Sequence, residues 1–319
     1  MTGPVVELAA ADAVTVTVPA SSANLGPGYD SVGLGLDLRD TYAVRVTSEP
    51  GLVVDLQGQG AQRLPRDDSS LLARALRTAM EACGLGWLEE LRQRGLGLHL
   101  TYGCEIPMSA GLGSSAAAGV GGFALGFALA RQGELTSEDR ALVNTHAGIL
   151  EGHPDNSSAS VYGGLTVSWM PSPQAVRTAR LTVHEDVAPL VVVPVGSKLS
   201  TRTARAVLPP HIAHADAARQ ASRSALLIHA LTTDPTFLLD ATQDWLHQEY
   251  RREAYPTSMA AVDLLRAQGH AAVVSGAGPT VLVLTRRAVV DTIAAEVKTW
   301  GREWKLLRPA VASEGVRVV

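Results

Sequence analysis

Residues 107–117 read Pro-Met-Ser-Ala-Gly-Leu-Gly-Ser-Ser-Ala-Ala. A glycine-rich turn runs straight into a run of helix formers that extends from Ser114 to about Ala130. Glycine lets the backbone take positive φ and come close to a bound group. The first turn of a helix carries N–H groups with no internal partner, and the peptide dipoles add about half a positive charge there. Such a turn can cradle phosphate without a lysine. That matters here, because no lysine precedes Lys198. Ser114 and Ser115 add hydroxyls able to cap the helix or to touch a metal or phosphate. Neither Gly-x-x-x-x-Gly-Lys nor Gly-x-Ser-x-Gly occurs, which excludes a lysine phosphate loop and a nucleophile elbow. Gly111-x-Gly113-x-x-Ala116 also fits the dinucleotide pattern. The strand before it ends near Cys104, however, and Pro107 intervenes, which disfavours that reading. A plain capping turn is the remaining alternative.

Upstream, Val14–Val18 alternates as a strand that Pro19 should end, and Ser21–Tyr29 then forms a polar loop carrying Asn24 and, next to it, Asp30. Residues 41–47 and 96–104 alternate as strands, and Asp67, Asp68, Ser69 and Ser70 supply N-cap chemistry for a helix reaching about Ala82. The first dozen residues read as a tail. Downstream, a helix from Ser137 ends near Gly152, and Pro171-Ser172-Pro173 is the best candidate domain boundary. Beyond it, helices are expected over 216–231, 236–248, 259–268 and 289–300. Between two apolar strands lies Ser275-Gly276-Ala277-Gly278-Pro279, a turn of small residues suited to close backbone approach. Strands and helices in this order point to an α+β second half of ferredoxin-like type.

The 319 residues are 46% hydrophobic and 18% charged, enough apolar material for a packed core. A net charge of −4 argues against nucleic acid or an anionic membrane as partner. Two cysteines, Cys83 and Cys104, cannot form a disulfide framework and read as core thiols of a reducing cytosol. Residues 106–130 lack any charge, but their Gly, Ala and Ser content favours a buried helix over a membrane span. The N-terminus lacks the basic and apolar regions of a signal peptide. His211 and His214 have metal-like spacing without further ligands, and His153 reads as a turn residue bonded to backbone. Asp155, adjacent to Asn156, is expected to point elsewhere and to be structural.

Taken in order, SSANLGPGYD (21–30), PMSAGLGSSAA (107–117), EGHPDN (151–156) and SGAGPT (275–280) resemble the signatures of the GHMP kinases. With ARAVLP (204–209), the combination is similar to the homoserine kinase family within that superfamily. The resemblance implies an α+β GHMP kinase fold. Residues 1–170 would form an ATP-binding domain like the second domain of a small-subunit ribosomal protein, and 171–319 a ferredoxin-like domain. It implies phosphorylation of the side-chain hydroxyl of L-homoserine by MgATP, a step of threonine biosynthesis, in the cytoplasm, and it is compatible with a homodimer. Pro107, Met108, Ser109, Ala110, Gly111, Leu112, Gly113, Ser114, Ser115, Ala116 and Ala117 would hold the ATP phosphates, and Ser115 and Glu151 the Mg²⁺. Asn24, Asp30, Asn156, Arg205 and Arg251 would line the amino-acid site. Two departures stand out. Ser70 occupies a position where relatives often carry an asparagine near adenine. Ile149 and Leu150 precede a single acidic residue, Glu151, where many relatives have two. A GHMP-type kinase for another hydroxy acid, or a nucleotide-binding regulator on this fold, is the alternative function.

Overall fold

The computed structural model describes residues 7–196 and 201–319, so residues 1–6 of the expected tail lie outside the described residues. Elements follow in chain order: β1 (Ala13–Ala23), β2 (Val32–Thr47), β3 (Gly51–Gly58), α1 (Leu71–Ala82), α2 (Leu88–Gln93), β4 (Gly97–Cys104), α3 (Ser114–Ala130), α4 (Ser137–Glu151) and α5 (Asp155–Tyr162). Then come β5 (Leu165–Ser172), β6 (Ala175–Leu181), β7 (Val187–Pro194), α6 (Thr201–Ala206), α7 (His214–Thr232), α8 (Leu238–Ala241) and α9 (Pro256–Ala267). The chain closes with β8 (Ala271–Val274), β9 (Val281–Arg286), α10 (Val290–Lys298), β10 (Trp304–Leu307) and β11 (Arg317–Val318).

Two sheets organise these elements. The first runs β11-β1-β2-β4-β3, with β5 paired to β2 and β6 to β5; among the described residues β3 and β4 pair in parallel and the other pairs are antiparallel. The second is antiparallel in the order β10-β7-β9-β8. This is the α+β arrangement expected. β2 alternates buried and exposed positions in its second half because one pleat face meets the core and the other does not. α1 buries Leu72, Ala75, Leu76, Ala79 and Met80, one stripe of a 3.6-residue period, and Ser70 caps it by accepting from the Ala73 N–H.

The uncharged stretch is α3, buried along most of its length. Its glycines permit contact with α1: a Cβ at Gly122 would lie 2.4 Å from the Leu72 carbonyl oxygen, and one at Gly126 2.5 Å from the Ala79 Cβ. Among the described residues, no helix is long and apolar enough to cross a membrane.

Three local expectations give way to tertiary structure. β1 does not stop at Pro19; it continues to Ala23 through a register shift at Pro19/Ala20, where the missing proline N–H is not needed. The helix expected over 236–248 is a turn of 3₁₀ helix, the short α8 and then turns. Asp244 is the cause, since its carboxylate accepts from the N–H groups of Leu246, His247 and Gln248 at 3.1, 3.0 and 2.8 Å and takes the place of helical bonding. Pro171–Pro173 turns a hairpin between β5 and β6, and β6 stays in the first sheet. The chain passes to the second sheet between Leu181 and Val187, and it returns at the C-terminus to pair β11 with β1.

Candidate active site

Three loops from distant parts of the chain interlock at the start of α3. Gly111 and Gly113 take φ of 82° and 69°, a left-handed conformation that favours glycine. The Ser275 hydroxyl donates to the Gly111 carbonyl at 2.6 Å; having one proton, it accepts from the Ser22 hydroxyl at 2.8 Å. Thr280 N–H donates to Ala110 O at 3.2 Å, and Ser21 N–H to Leu112 O at 3.1 Å. The carbonyls of residues 110–112 are thus turned into the protein. The first-turn N–H groups of α3, which a helix cannot satisfy internally, belong to residues lining an adjacent cavity. A Cβ at Gly111 would meet the Ser275 carbonyl at 2.4 Å, and one at Gly113 the Ser21 hydroxyl at 2.0 Å. The glycines therefore secure the packing of the loop on β1 and the 275–278 turn as well as its φ. At the loop's entry, the buried Asp40 carboxylate accepts from the Glu105 and Ile106 N–H groups at 2.7 and 2.8 Å and from the Tyr42 hydroxyl.

The cavity has a volume of about 570 Å³. Leu64, Ser70, Leu71, Tyr102, Cys104 and Met108 form an apolar part with hydroxyls, where Ser70 and Tyr102 are bonded at 2.6 Å. Burial pushes the Cys104 thiol up to about 11, helped by Asp40 and Glu105, so it is a core thiol and not a thiolate. Asn24, Asp30, Glu151, His153, Asp155, Asn156, Arg205 and Arg251 form a charged part.

The charged part is built from side chains of both halves. Arg205 grips Asp30 with two bonds, at 2.5 and 3.0 Å, and also donates to the Tyr29 hydroxyl at 3.0 Å. Arg251, only 2% exposed, donates to Ala204 O at 2.8 Å and lies over the Tyr29 ring. Asn24 donates to Gly276 O at 2.9 Å and accepts from Asp30 N–H at 3.0 Å. Asp155 accepts from His153 Nδ1 at 2.7 Å and from Asn156 N–H at 2.8 Å, while Asn156 Oδ1 accepts from Ser21 at 2.9 Å. Burial raises the Glu151 pKa, Asp155 adds to it, and His153, a Ser115 hydrogen bond and Arg205 only partly oppose it. Burial works against a charged His153, but the Asp155 bond and charge, with Glu151, outweigh it and raise its pKa. Asp30, His153 and Asp155 offer ligand atoms within 4.8 Å of one another.

The residues expected from sequence converge: Asn24, Asp30, Asn156, Arg205, Arg251, Glu151 and 108–116 line this one cavity, whereas Pro107 and Ala117 flank it without lining it. Sequence reasoning missed His153 and Asp155. His153 bonds a side chain where a backbone partner was expected, and Asp155 lines the cavity beside Asn156. At the start of α5 the two residues sit about 100° apart on a helix, not on opposite faces of a strand. The metal-like spacing of His211 and His214 gathers no third ligand among the described residues.

The sequence models of two families match: GHMP kinases N terminal domain over residues 70–164, and GHMP kinases C terminal over 228–303. The homoserine kinase of Streptomyces avermitilis is 44% identical over 319 residues, 100% of this chain and 99% of that protein. The chain belongs to the homoserine kinase family of the GHMP kinases. The homoserine kinase of Cutibacterium acnes is 45% identical over 290 residues, 91% of this chain and 94% of its own length. The crystal structure of homoserine kinase from Cytophaga hutchinsonii superposes with a TM-score of 0.82 at 22% identity, covering 98% of this chain and 99% of that one. That likeness shows the GHMP kinase fold.

Proposed function

We infer that the chain transfers the γ-phosphoryl group of ATP to the side-chain hydroxyl of L-homoserine, forming O-phospho-L-homoserine in the cytoplasm. One observation carries this reading: a single cavity joins an anion-ready helix N-terminus to a charge set matched to a free amino acid. Phosphoryl transfer is mainly positioning and charge stabilisation. The α3 N-terminus and residues 108–116 supply the phosphate cradle. Leu64, Leu71, Tyr102 and Met108 offer the nucleoside an apolar seat. Residues 1–170 would carry most of the ATP site, and 171–319 contribute Arg205, Arg251 and the 275–280 turn.

Glu151 and Ser115 fit a Mg²⁺ ion. They are hard oxygen donors that both line the cavity beside the cradle, and desolvation gives the carboxylate a raised pKa that a cation would reverse. Bound there, Mg²⁺ would neutralise charge that develops on the transferring phosphoryl oxygens.

At the other end, an amino acid brings one ammonium and one carboxylate, the same charges that Asp30 and Arg205 present to each other. Exchange of that ion pair would seat the ammonium on Asp30 and the carboxylate on Arg205 and Arg251. Asn156, held by Ser21 and Asp155, would orient the acceptor hydroxyl, whose proton passes to an oxygen of the transferred phosphoryl group and on to solvent as the new P–O bond forms and ADP departs. A dissociative transition state does not need early deprotonation by a dedicated base.

ADP release across a panel of hydroxy amino acids and hydroxy acids tests the assignment. Turnover highest with L-homoserine is expected. Preference for another acceptor would make the chain a GHMP kinase of other specificity, and no turnover with any acceptor would leave a nucleotide-binding regulator.

A further inference from the structure

The acceptor loop is held by a residue that does not touch the cavity. Residues 24–30 take an uncommon path: Asn24, Leu25 and Asp30 have φ of 70°, 49° and 55°, a region that non-glycine residues enter only when their surroundings hold them. Much of what holds this loop comes from the C-terminal half. Pro27 O accepts from Gln220 at 2.9 Å and from Ser224 at 2.6 Å, and Gly26 O accepts from His247 Nε2 at 2.8 Å. The other ring nitrogen, His247 Nδ1, lies 3.2 Å from Arg251 Nη1. The His247 ring is also 5.2 Å from that of Tyr29, which both Arg205 and Arg251 approach.

These contacts fix the protonation of the imidazole. A carbonyl can only accept, so Nε2 carries the proton. A guanidinium can only donate, so Nδ1 keeps its lone pair. Protonation would set Nδ1–H against an arginine N–H and place two positive charges side by side. Burial and then Arg251 both work against the charged ring, while Asp244, whose Oδ1 is 3.6 Å from Nε2, favours it; the balance lowers the His247 pKa. His247 and the Asp244 side chain are both fully buried. Asp244 in turn accepts from Gln220, and Gln220 accepts from Trp245 N–H at 2.8 Å, so the segment presenting His247 is itself pinned.

We propose that His247 is the positioning residue of the acceptor site. As the neutral Nε2–H tautomer, it ties Gly26 of the acceptor loop to Arg251, so that Asp30 and the arginines meet the amino acid in one register. The proposal rests on the acceptor assignment above and adds to it a residue outside the cavity.

The test pairs two substitutions with a measurement on the unaltered chain. His247→Phe keeps a ring beside Tyr29 but removes both hydrogen bonds, whereas His247→Gln keeps one donor and one acceptor. In His247→Phe, KM for homoserine should rise about ten- to a hundredfold, the loss expected for a hydrogen bond to a charged group. KM for ATP should move less than about twofold, and His247→Gln should recover most of the homoserine loss. An equal rise in both KM values, or a Gln variant no better than Phe, would reduce His247 to a packing residue. Should the Phe variant not fold, ¹⁵N-histidine NMR of the wild-type chain decides. A protonated Nε2 and a bare Nδ1 whose signal shifts on adding homoserine support the proposal; an Nδ1–H tautomer, or an Nδ1 indifferent to the acceptor, overturns it. Wild-type turnover of homoserine separately tests the acceptor assignment, because the tautomer can be read whichever hydroxy acid the enzyme prefers.

Discussion

The two ends of the cavity are built by opposite means. At the proposed phosphate end, one contiguous stretch, 107–117, offers backbone N–H groups, and its side chains matter mostly by being small. At the proposed acceptor end, Asn24 and Asp30 share one loop while Asp155, Arg205 and Arg251 arrive from three other segments, and the chemistry lies in polar and charged side chains. The first end is preorganised by carbonyls already bonded into the protein. The second holds its charges against one another, Arg205 on Asp30 and His153 on Asp155. Kinetic parameters should therefore separate by end, with losses in turnover and ATP binding at one and in acceptor KM at the other.

The sharpest break is expected where the ends meet. Glu151→Gln keeps size and hydrogen bonding but removes the charge proposed to hold Mg²⁺. It should lower kcat by on the order of a hundredfold, the cost of losing one preorganised stabiliser, and shift KM for ATP far less. Initial rates over a Mg²⁺ series check this, and an unchanged kcat would hand the metal to the Asp30–His153–Asp155 group.

Next in size is the acceptor clamp. Arg205→Ala and Arg251→Ala should each raise KM for homoserine about ten- to a hundredfold, since a hydrogen bond to a charged group contributes about 1.5–3 kcal/mol. KM for ATP should stay nearly constant. Arg252 is the control: it is paired on the surface with Glu249 and Asp263, so its removal should leave both constants alone. Arg251→Ala should also lower thermal stability, because it strips a buried guanidinium from His247 and Ala204 O. If all three variants behave alike towards homoserine, the clamp is wrong.

This contrast explains what could be read from sequence. The proposed phosphate loop was legible because the role proposed for it lies in a local pattern of Gly, Ser and helix start. Asn24 and Asp30 stood out through their Gly/Pro-rich loop, but Arg205 and Arg251 have no local signature; alone, each resembles an ordinary surface charge, and only the family resemblance singled them out. His153, Asp155 and His247 were not legible, because their roles depend on partners that the fold supplies. Boundaries were lost for similar reasons. The bulge that carries β1 past Pro19, the Asp244 carboxylate that replaces a helix, and the hairpin at Pro171–Pro173 are each decided by a contact that no local pattern announces.

A smaller effect sharpens the metal assignment through pH. Burial holds the Glu151 pKa above its ordinary value, so a proton competes for the carboxylate at higher pH than it would for an exposed glutamate. The direction follows: as pH falls through that raised value, the Mg²⁺ concentration for half-maximal rate should climb by about tenfold per pH unit, since the ligand must be deprotonated. Measured between neutral and mildly acidic pH, the rise should begin above the usual carboxylate range and vanish in Glu151→Gln. A Mg²⁺ requirement that is flat over this range would remove Glu151 from the coordination sphere.

The smallest effect is expected at the nucleoside seat, and it distinguishes a base contact from a structural one. Ser70 is 2% exposed; its hydroxyl accepts from Ala73 N–H at 3.3 Å and pairs with the Tyr102 hydroxyl at 2.6 Å. It therefore has two duties, capping α1 and fixing Tyr102 at the cavity wall. Ser70→Ala should cost about 1 kcal/mol of stability through the lost cap. KM for ATP should rise no more than about tenfold, the worth of one neutral hydrogen bond, and KM for homoserine should not change. Ser70→Asn restores a good N-cap residue and places an amide at the cavity wall, so stability should return. If ATP binds Ser70→Asn more tightly than wild type, the position contacts the base directly and the serine is the weaker reader. If stability moves in the alanine variant while KM for ATP stays fixed in both, the Ser70–Tyr102 pair belongs to α1 and the sheet, and base recognition falls to Leu64, Leu71 and Met108.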